Sequence, residues 1–163
     1  MKRIVLLRHS KSSWRYEGLA DEYRPLNERG YSEAQTLSAQ LKRSGFKADR
    51  VVASPSVRTY STALILARNS KVKLTDIHLD DRLYETGLKE HLEVIRSQPE
   101  AVIGLVIVGH NDTISRIATW LSGSDTVMLP TSGYALLESS ADSWKRIKKG
   151  SCRLVSIPTH ESP

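Results

Sequence analysis

Two short apolar runs constrain the fold of this chain more than any other feature of its sequence. Residues 4–7 and 103–108 consist of aliphatic residues with a single glycine, and each run is too short for a buried helix. Apolar runs of this length are typical of strands that are buried on both faces of a sheet. We therefore expect both runs to lie in the interior of a layered structure, with helices on either side.

The remaining sequence alternates between strand and helix patterns. Residues 28–44 have helical apolar spacing, with Asn27 as the expected N-cap and Gly45 as the expected terminator. Ser54 and Pro55 predict the start of a helix that runs to about Asn69. Further strands are predicted at residues 49–53, 72–77, 126–129, 134–138 and 153–157, and further helices before Pro99 and before Gly123. This alternation predicts a single α/β domain, residues 1–163, with a largely parallel sheet.

The composition is that of an ordinary globular protein. Of the 163 residues, 39% are hydrophobic and 26% are charged, which suits one domain. Cys152 is the single cysteine, so an intramolecular disulfide is excluded, a cysteine-based zinc site is disfavoured and a cytoplasmic location is expected. The apolar run before Arg8 is too short for a signal peptide, and no later run is long enough to span a bilayer.

The net charge of +6 is compatible with nucleic acid, an anionic substrate or no specific partner. We expect the basic run at residues 145–149 to be a solvated hairpin or edge strand. Trp14, Trp120 and Trp144 are too far apart in sequence to suggest a base-stacking platform. We therefore expect these tryptophans in the core or in a pocket wall, and we expect no nucleic-acid partner.

Three predicted strand-to-helix junctions carry side chains suited to phosphate chemistry. They are Arg8-His9, residues 54–58 with Arg58, and Gly109-His110-Asn111. The C-terminal ends of parallel strands meet at one edge of a sheet, where ligands bind. Two arginines and two histidines are therefore expected to converge there, with Arg58 in the first turn of its helix.

This set of side chains predicts phosphoryl transfer. A neutral imidazole can attack phosphorus in line, while arginines and a second histidine neutralise the other oxygens. Glu85, in a predicted loop, is the candidate proton donor for the leaving group. Because side-chain cations take the part that Mg²⁺ would otherwise play, we expect neither a metal ion nor another cofactor.

The motifs resemble those of the histidine phosphatase superfamily. Residues 7–10 (LRHS) are similar to its RHG signature, residues 54–63 (SPSVRTYSTA) to its SPxxRxxxTA motif, and residues 108–111 (VGHN) to its later GH motif. Residues 8–14 (RHSKSSW) and 24–30 (RPLNERG) look like the short SixA-type branch, the phosphohistidine phosphatases. The resemblance covers nearly the whole chain.

The resemblance implies a three-layer α/β/α sandwich with a mostly parallel central sheet, as in phosphoglycerate mutase. It implies that His9 is the phosphorylated nucleophile and that Arg8, Arg58 and His110 form the phosphate pocket. It also matches Glu85 to the acidic proton donor of larger members. The chain departs from the motif at Ser10, where glycine would let the backbone approach phosphate closely. Serine fits there if its φ is negative, and its hydroxyl is a possible further phosphate ligand.

Several loop residues have two interpretations. Arg24 either binds substrate in the pocket or ties its loop to the following helix. Lys11 and Ser12 either contact substrate or belong to a solvated loop, which we favour. Residues 131–133 (Thr-Ser-Gly) either line the site or form an ordinary turn. Asn111 is interpreted as the cap of the following helix rather than as a partner of the preceding histidine.

The other histidines are interpreted as surface residues. His78, His91 and His160 have no neighbours in sequence that suggest a metal site.

The favoured function is hydrolysis of phosphohistidine in proteins through a phosphohistidine intermediate on His9. A shallow site without a covering insertion suits a phosphate carried by a protein. Two alternatives remain: a phosphatase for small phosphomonoesters or sugar phosphates, and a non-catalytic module that binds anions or nucleic acid. A phosphoglycerate mutase is less favoured, because the chain has little length to spare for segments that would enclose a second phosphate. No membrane partner is expected, and the sequence does not predict the oligomeric state.

Overall fold

The computed structural model describes residues 1–158, in which strands and helices alternate from β1 to β6. The strands are β1 (Lys2–Arg8), β2 (Arg50–Ala53), β3 (Ile77–Leu79), β4 (Gly104–Gly109), β5 (Tyr134–Ser139) and β6 (Arg153–Ser156). The α-helices are α1 (Glu28–Arg43), α2 (Val57–Ser70), α3 (Leu88–Arg96) and α4 (Thr113–Ser122). Short 3₁₀ turns lie at Asp21–Tyr23, Leu74–Asp76, Asp81–Leu83 and Trp144–Arg146. His160 lies outside the described residues.

The strands form one sheet in the order β3-β2-β4-β1-β5-β6. β1 pairs in parallel with β4, β4 with β2, and β2 with β3, whereas β5 is antiparallel to both β1 and β6. The sheet is therefore mostly parallel, as predicted. Because β1 and β4 are parallel neighbours, both of the long apolar runs end at the same edge.

The side chains of β1 alternate between two hydrophobic cores. Val5 and Leu7 face the core that contains the buried side of α1 and α2, and Ile4 and Leu6 face the core that contains α3 and α4. Successive strand residues point to opposite faces, so a run that is apolar throughout requires a helical layer on each side. The three-layer α/β/α arrangement is thus confirmed.

The first helix begins and ends where the sequence predicts. The Asn27 side chain accepts a hydrogen bond of 2.8 Å from the backbone N–H of Gly30, and Gly45 after the helix has a φ of +72°. Gly30 lies against the backbone of Lys11, so that an added Cβ would be 2.0 Å from the Lys11 carbonyl oxygen. The absence of a side chain at Gly30 therefore lets α1 pack directly on the loop that follows β1.

The second helix starts two residues later than predicted. Ser56 is its N-cap and accepts a hydrogen bond from the backbone N–H of Thr59, so Ser54 and Pro55 precede the helix. The backbone N–H of Ser54 donates instead to Val108 at 3.0 Å. Ser54 thus continues the hydrogen bonding between β2 and β4, which is a long-range contact that the local pattern does not reveal.

Two predicted strands are wrong. Residues 72–77 contain the 3₁₀ turn Leu74–Asp76, and the strand is the short β3 that follows it. Residues 126–129 form no strand, because the backbone N–H groups of Val127 and Leu129 donate to the hydroxyls of Thr119 and Ser115 on α4. Side chains of α4 therefore accept the hydrogen bonds that the backbone of a neighbouring strand would otherwise accept.

The basic run at residues 145–149 is neither a hairpin nor a strand. Its first part belongs to the 3₁₀ turn Trp144–Arg146, and its four basic side chains are exposed while Ile147 is buried. The run is solvated, as predicted, although its backbone is a turn. Trp144 is fully buried, and Trp120 packs against the same core. Among residues 1–158, no helix is both long enough and apolar enough to cross a membrane.

Candidate active site

The predicted strand-to-helix junctions meet at one edge of the sheet around a cavity of about 360 Å³. The backbone N–H of His9, just after β1, donates to Gly109 at the end of β4 over 3.1 Å. The rings of His9 and His110 are consequently neighbours, with 5.2 Å between their centroids. Arg8 and Arg58 line the same cavity, so the four side chains do converge.

His9 is held in one tautomer. Its Nδ1 lies 2.7 Å from the carbonyl oxygen of Ser10, and a carbonyl only accepts hydrogen bonds. Nδ1 therefore carries the proton, and Nε2 keeps its lone pair. Burial lowers the pKa of His9 to about 4; the Ser10 hydrogen bond opposes this change, and nearby arginines add to it. The ring is thus neutral at pH 7.

His110 is oriented by hydrogen bonds at both ring nitrogens. Nε2 lies 2.8 Å from the hydroxyl of Ser54, and Nδ1 lies 3.4 Å from Nη2 of Arg58. Since a guanidinium only donates, Nδ1 is the acceptor and Nε2–H donates to Ser54. Burial, together with the charges of His9 and Arg58, lowers the pKa of His110 to about 3. In the neutral ring, Nδ1 therefore faces the arginine that shares its cavity.

The two arginines of the predicted pocket are held by different elements. Arg58 is in the first turn of α2, only 6% exposed, and both of its terminal nitrogens donate to Asp21. Arg8 ends β1 and donates from Nη1 to the Leu129 carbonyl at 3.1 Å. Its Nε is buried and bonds to no described residue. Burial lowers the pKa of Arg8 from its very high ordinary value.

Arg24 reaches the cavity, as one interpretation predicts, while its hydrogen bonds hold its own loop rather than tie it to the following helix. Its side chain donates to Ser12, Ser13 and Asp21. Its guanidinium lies 3.2 Å from the ring centroid of Trp14, whose side chain is 78% exposed at the cavity rim. Trp14 is therefore a pocket wall, as predicted.

Three of the loop residues with two interpretations lie next to the cavity. Lys11, Ser12 and Thr131 all line the cavity. Ser12 is buried and accepts a hydrogen bond of 2.7 Å from Arg24, so the solvated loop favoured for it is wrong. Lys11 is exposed at the rim.

Glu85 lies on the cavity wall, next to Tyr84. Its side chain is exposed and its φ is +51°. The loop between the 3₁₀ turn Asp81–Leu83 and α3 thus places an exposed carboxylate at the mouth of the cavity.

Ser10 fits the motif position without strain. Its φ lies outside the left-handed region, it is fully buried, and its N–H donates to the Thr62 hydroxyl at 3.1 Å. Its hydroxyl accepts a hydrogen bond of 2.6 Å from Ser132. Ser10 is not among the residues that line the cavity, and its hydroxyl joins two loops.

Two smaller predictions are wrong. The N-cap of α4 is Asp112, whereas the side chain of Asn111 accepts a hydrogen bond from Ser115. His91 is 1% exposed rather than a surface residue, because its ring is held against the start of α3 by a 2.8 Å hydrogen bond from Nδ1 to Gly87. His78 is exposed, as predicted.

Sequence reasoning missed Asp21, Tyr84 and His91, which also line the cavity. Asp21 receives hydrogen bonds from Arg58, Arg24 and Tyr84. The only local signal was the i,i+3 spacing of Asp21 and Arg24, whereas the contact between Asp21 and Arg58 spans 37 residues.

Comparison with known proteins identifies the family of this chain. Residues 4–103 match the sequence profile of the Histidine phosphatase superfamily (branch 1). The chain belongs to this superfamily, and its activity is that of a phosphatase. An uncharacterised protein of Mycobacterium tuberculosis is 30% identical over 161 residues, covering 93% of this chain and 98% of the relative. Phosphoserine phosphatase 1 of Hydrogenobacter thermophilus is 37% identical over 108 residues, which is 61% of this chain and 48% of that enzyme.

The fold matches solved structures over almost its full length. The putative phosphohistidine phosphatase SixA from Agrobacterium tumefaciens superimposes with a TM-score of 0.81 at 27% identity, covering 97% of both chains. A protein histidine phosphatase SixA complexed with tungstate gives a TM-score of 0.80 at 17% identity, covering 95% of both chains. The architecture is therefore the SixA-type, phosphoglycerate mutase-like fold.

Proposed function

We propose that this phosphatase hydrolyses phosphohistidine in proteins, without a metal ion, through a covalent phosphohistidine on His9. One observation carries the proposal: His9 is neutral, its Nδ1–H is held by Ser10, and its ring lies beside His110 in a cavity lined by arginines. A neutral imidazole with a fixed tautomer has a nitrogen lone pair ready to attack an electrophile.

In the first step, Nε2 of His9 attacks phosphorus and forms a P–N bond. The bond from phosphorus to the leaving nitrogen breaks, and that nitrogen keeps the electron pair. Arg8, Arg58 and Arg24 donate to the remaining phosphoryl oxygens, whose negative charge requires preorganised donors, and His110 joins them when the bound anion favours a proton on its Nδ1. Glu85, at the mouth of the cavity, supplies the proton that the leaving group takes up.

In the second step, a water molecule attacks the phosphohistidine. The P–Nε2 bond breaks, its electron pair returns to Nε2, and orthophosphate is released. The water proton passes to Glu85, which lost a proton in the first step. The enzyme thus returns to its starting state, and the arginines supply the positive charge throughout.

A substrate carried by a protein is supported by the open side of the cavity. The rim is formed by exposed side chains, among them Trp14 and Lys11, and the cavity opens between them to solvent. The match to a putative phosphohistidine phosphatase at 27% identity supports the same substrate class. A phosphoimidazole can enter such a cavity while the polypeptide that carries it remains outside.

A small phosphomonoester is the second candidate substrate. The 37% identity to phosphoserine phosphatase 1 favours it over part of the chain. Both substrates would use the same nucleophile, so only their relative kinetic constants distinguish them.

A substrate panel with matched variants tests the proposed function. Phosphohistidine peptides, phosphoserine, phosphotyrosine peptides and sugar phosphates are compared by kcat/KM for the wild type and His9→Ala, with and without EDTA. We expect the highest value for phosphohistidine, no effect of EDTA and loss of activity in His9→Ala. His78→Ala, at an exposed histidine, is the control. Full activity of His9→Ala would overturn the mechanism, and a higher value for phosphoserine would overturn the substrate class.

A further inference from the structure

The Asp21 carboxylate accepts hydrogen bonds from three side chains of the cavity, although no motif includes it. Its backbone oxygen accepts from Nη1 of Arg58 at 2.7 Å, and Oδ2 accepts from Nη2 of Arg58 at 2.8 Å. Oδ2 also accepts from the Tyr84 hydroxyl at 2.9 Å, and Oδ1 accepts from Nη1 of Arg24 at 3.0 Å. One loop residue thus connects α2, the loop before α3 and the loop after β1.

The contacts fix the direction of the Arg58 guanidinium. Each terminal nitrogen of an arginine carries two hydrogens, and one on each is directed at Asp21. The other hydrogen of Nη2 faces Nδ1 of His110, 3.4 Å away, and therefore the side of the cavity that holds His9. The carboxylate and the backbone carbonyl of Asp21 together hold one edge of the planar guanidinium and so determine where its other edge points.

The charge of Asp21 is retained in this setting. Burial raises the pKa of the carboxyl, but hydrogen bonds from Arg58, Tyr84 and Arg24 outweigh it and lower the pKa to about 2. Burial and the bond to Asp21 raise the pKa of Tyr84 to about 12, so the phenol remains a donor. Asp21 is therefore a fixed anion held by three donors.

We infer that Asp21 is a positioning residue, which holds the Arg58 guanidinium so that its free N–H groups face the phosphoryl group. The inference rests on the proposed function, in which Arg58 binds phosphoryl oxygens. Arg58 is 6% exposed, and without the Asp21 carboxylate its remaining described anchors are the backbone carbonyl of residue 21 at 2.7 Å and the 3.4 Å contact to His110. Asp21 contributes through orientation, and its own oxygens, which carry negative charge, make no bond to the phosphate.

The first experiment measures substrate turnover and competitive inhibition by orthophosphate. In Asp21→Ala, we expect kcat/KM to fall and the inhibition constant of orthophosphate to rise, each about tenfold, the effect of losing one charged hydrogen bond. Asp21→Glu is expected to recover part of the loss. Glu22→Gln removes the same charge from the adjacent, exposed residue and is expected to match the wild type within about twofold.

Two results for Asp21→Ala would contradict the inference. If Asp21 merely occupies the phosphate site in the empty enzyme, Asp21→Ala will bind orthophosphate more tightly, and the inference is wrong. An unchanged inhibition constant together with unchanged kcat/KM also overturns it.

A double-mutant cycle separates positioning from a general structural role. In an Arg58→Lys background, Asp21→Ala is expected to change kcat/KM several-fold less than in the wild type, because Arg58 is absent and only the bonds to Arg24 and Tyr84 remain to be lost. A further loss as large as in the wild type shows that Asp21 does not act through Arg58. Failure of the proposed function is seen separately, as full activity of His9→Ala.

Discussion

At the scale of single residues, the site depends on two histidines that are kept neutral for different tasks. His9 donates its Nδ1 proton to Ser10 and leaves Nε2 free, whereas His110 donates its Nε2 proton to Ser54 and turns Nδ1 toward Arg58. Burial and neighbouring positive charge lower both pKa values. A dianionic substrate reverses that charge balance, so binding favours a protonated His110 that donates to phosphate.

The pH dependence of kcat/KM follows from His9. This constant reports on the free enzyme, in which the pKa of His9 lies at about 4 rather than 6.5. After correction for substrate ionisation, we expect kcat/KM to stay level from pH 7 to about 5 and to fall around pH 4, where His9 takes up a proton. A fall centred near pH 6.5 would contradict a buried, neutral nucleophile.

Glu85 is tested by comparing leaving groups. A phenolate or serine oxyanion needs a proton as it departs, whereas the imidazole of phosphohistidine is already a basic nitrogen. Glu85→Gln is therefore expected to reduce kcat/KM, which reports phosphoryl transfer to His9 rather than the later hydrolysis, by about 10²-fold or more for phenyl phosphates, a typical general-acid contribution, and by much less for phosphohistidine peptides. Glu90→Gln, a carboxylate on α3 outside the cavity lining, is the control. Equal losses of kcat/KM on both substrates in Glu85→Gln would refute the role of Glu85 as the proton donor.

At the scale of elements, the loop after β1 is held in place by its packing on α1. Gly30 touches the backbone of Lys11, and Asn27 donates its backbone N–H to the Lys11 carbonyl at 3.0 Å. The same loop carries Asp21 and Arg24 into the cavity. The geometry of the site therefore depends on a close approach between two backbones.

Gly30→Ala tests this dependence. The added Cβ would meet backbone atoms, which cannot move aside as a side chain can. We expect a loss of about 1–3 kcal/mol in the free energy of unfolding, measured in urea, with a lower kcat/KM. Gly18→Ala is the control, since the added Cβ meets nothing within 4 Å. Any loss in its free energy of unfolding comes from the φ of +72° alone. An unchanged free energy of unfolding in Gly30→Ala would show that the loop moves aside without loss, and that the site does not depend on this close approach.

At the scale of the whole molecule, the order of the strands brings distant sequence motifs together. β1 lies between β4 and β5, and β4 lies between β1 and β2, so the junctions after β1, β2 and β4 are adjacent. The apolar runs and the three motifs were enough to predict this convergence. Convergence follows from parallel pairing, which is a property of the sheet rather than of any single loop.

The features that the sequence did not predict depend on contacts between distant segments. Ser56 replaces Ser54 as the cap because Ser54 is bonded to Val108 in the sheet. Asp21 enters the site because Arg58 reaches it from another element. Local patterns report on periodicity and capping, whereas these contacts require the folded arrangement of the chain.

The central claim is that His9 carries the phosphoryl group during turnover, and trapping that intermediate tests it most directly. The enzyme is mixed with labelled substrate, quenched within milliseconds in base and analysed by mass spectrometry. We predict one phosphoryl group on His9, stable in base and labile in acid, and none in His9→Ala. Turnover without any phosphorylated histidine, or a phosphoryl group on a different residue, would contradict the account.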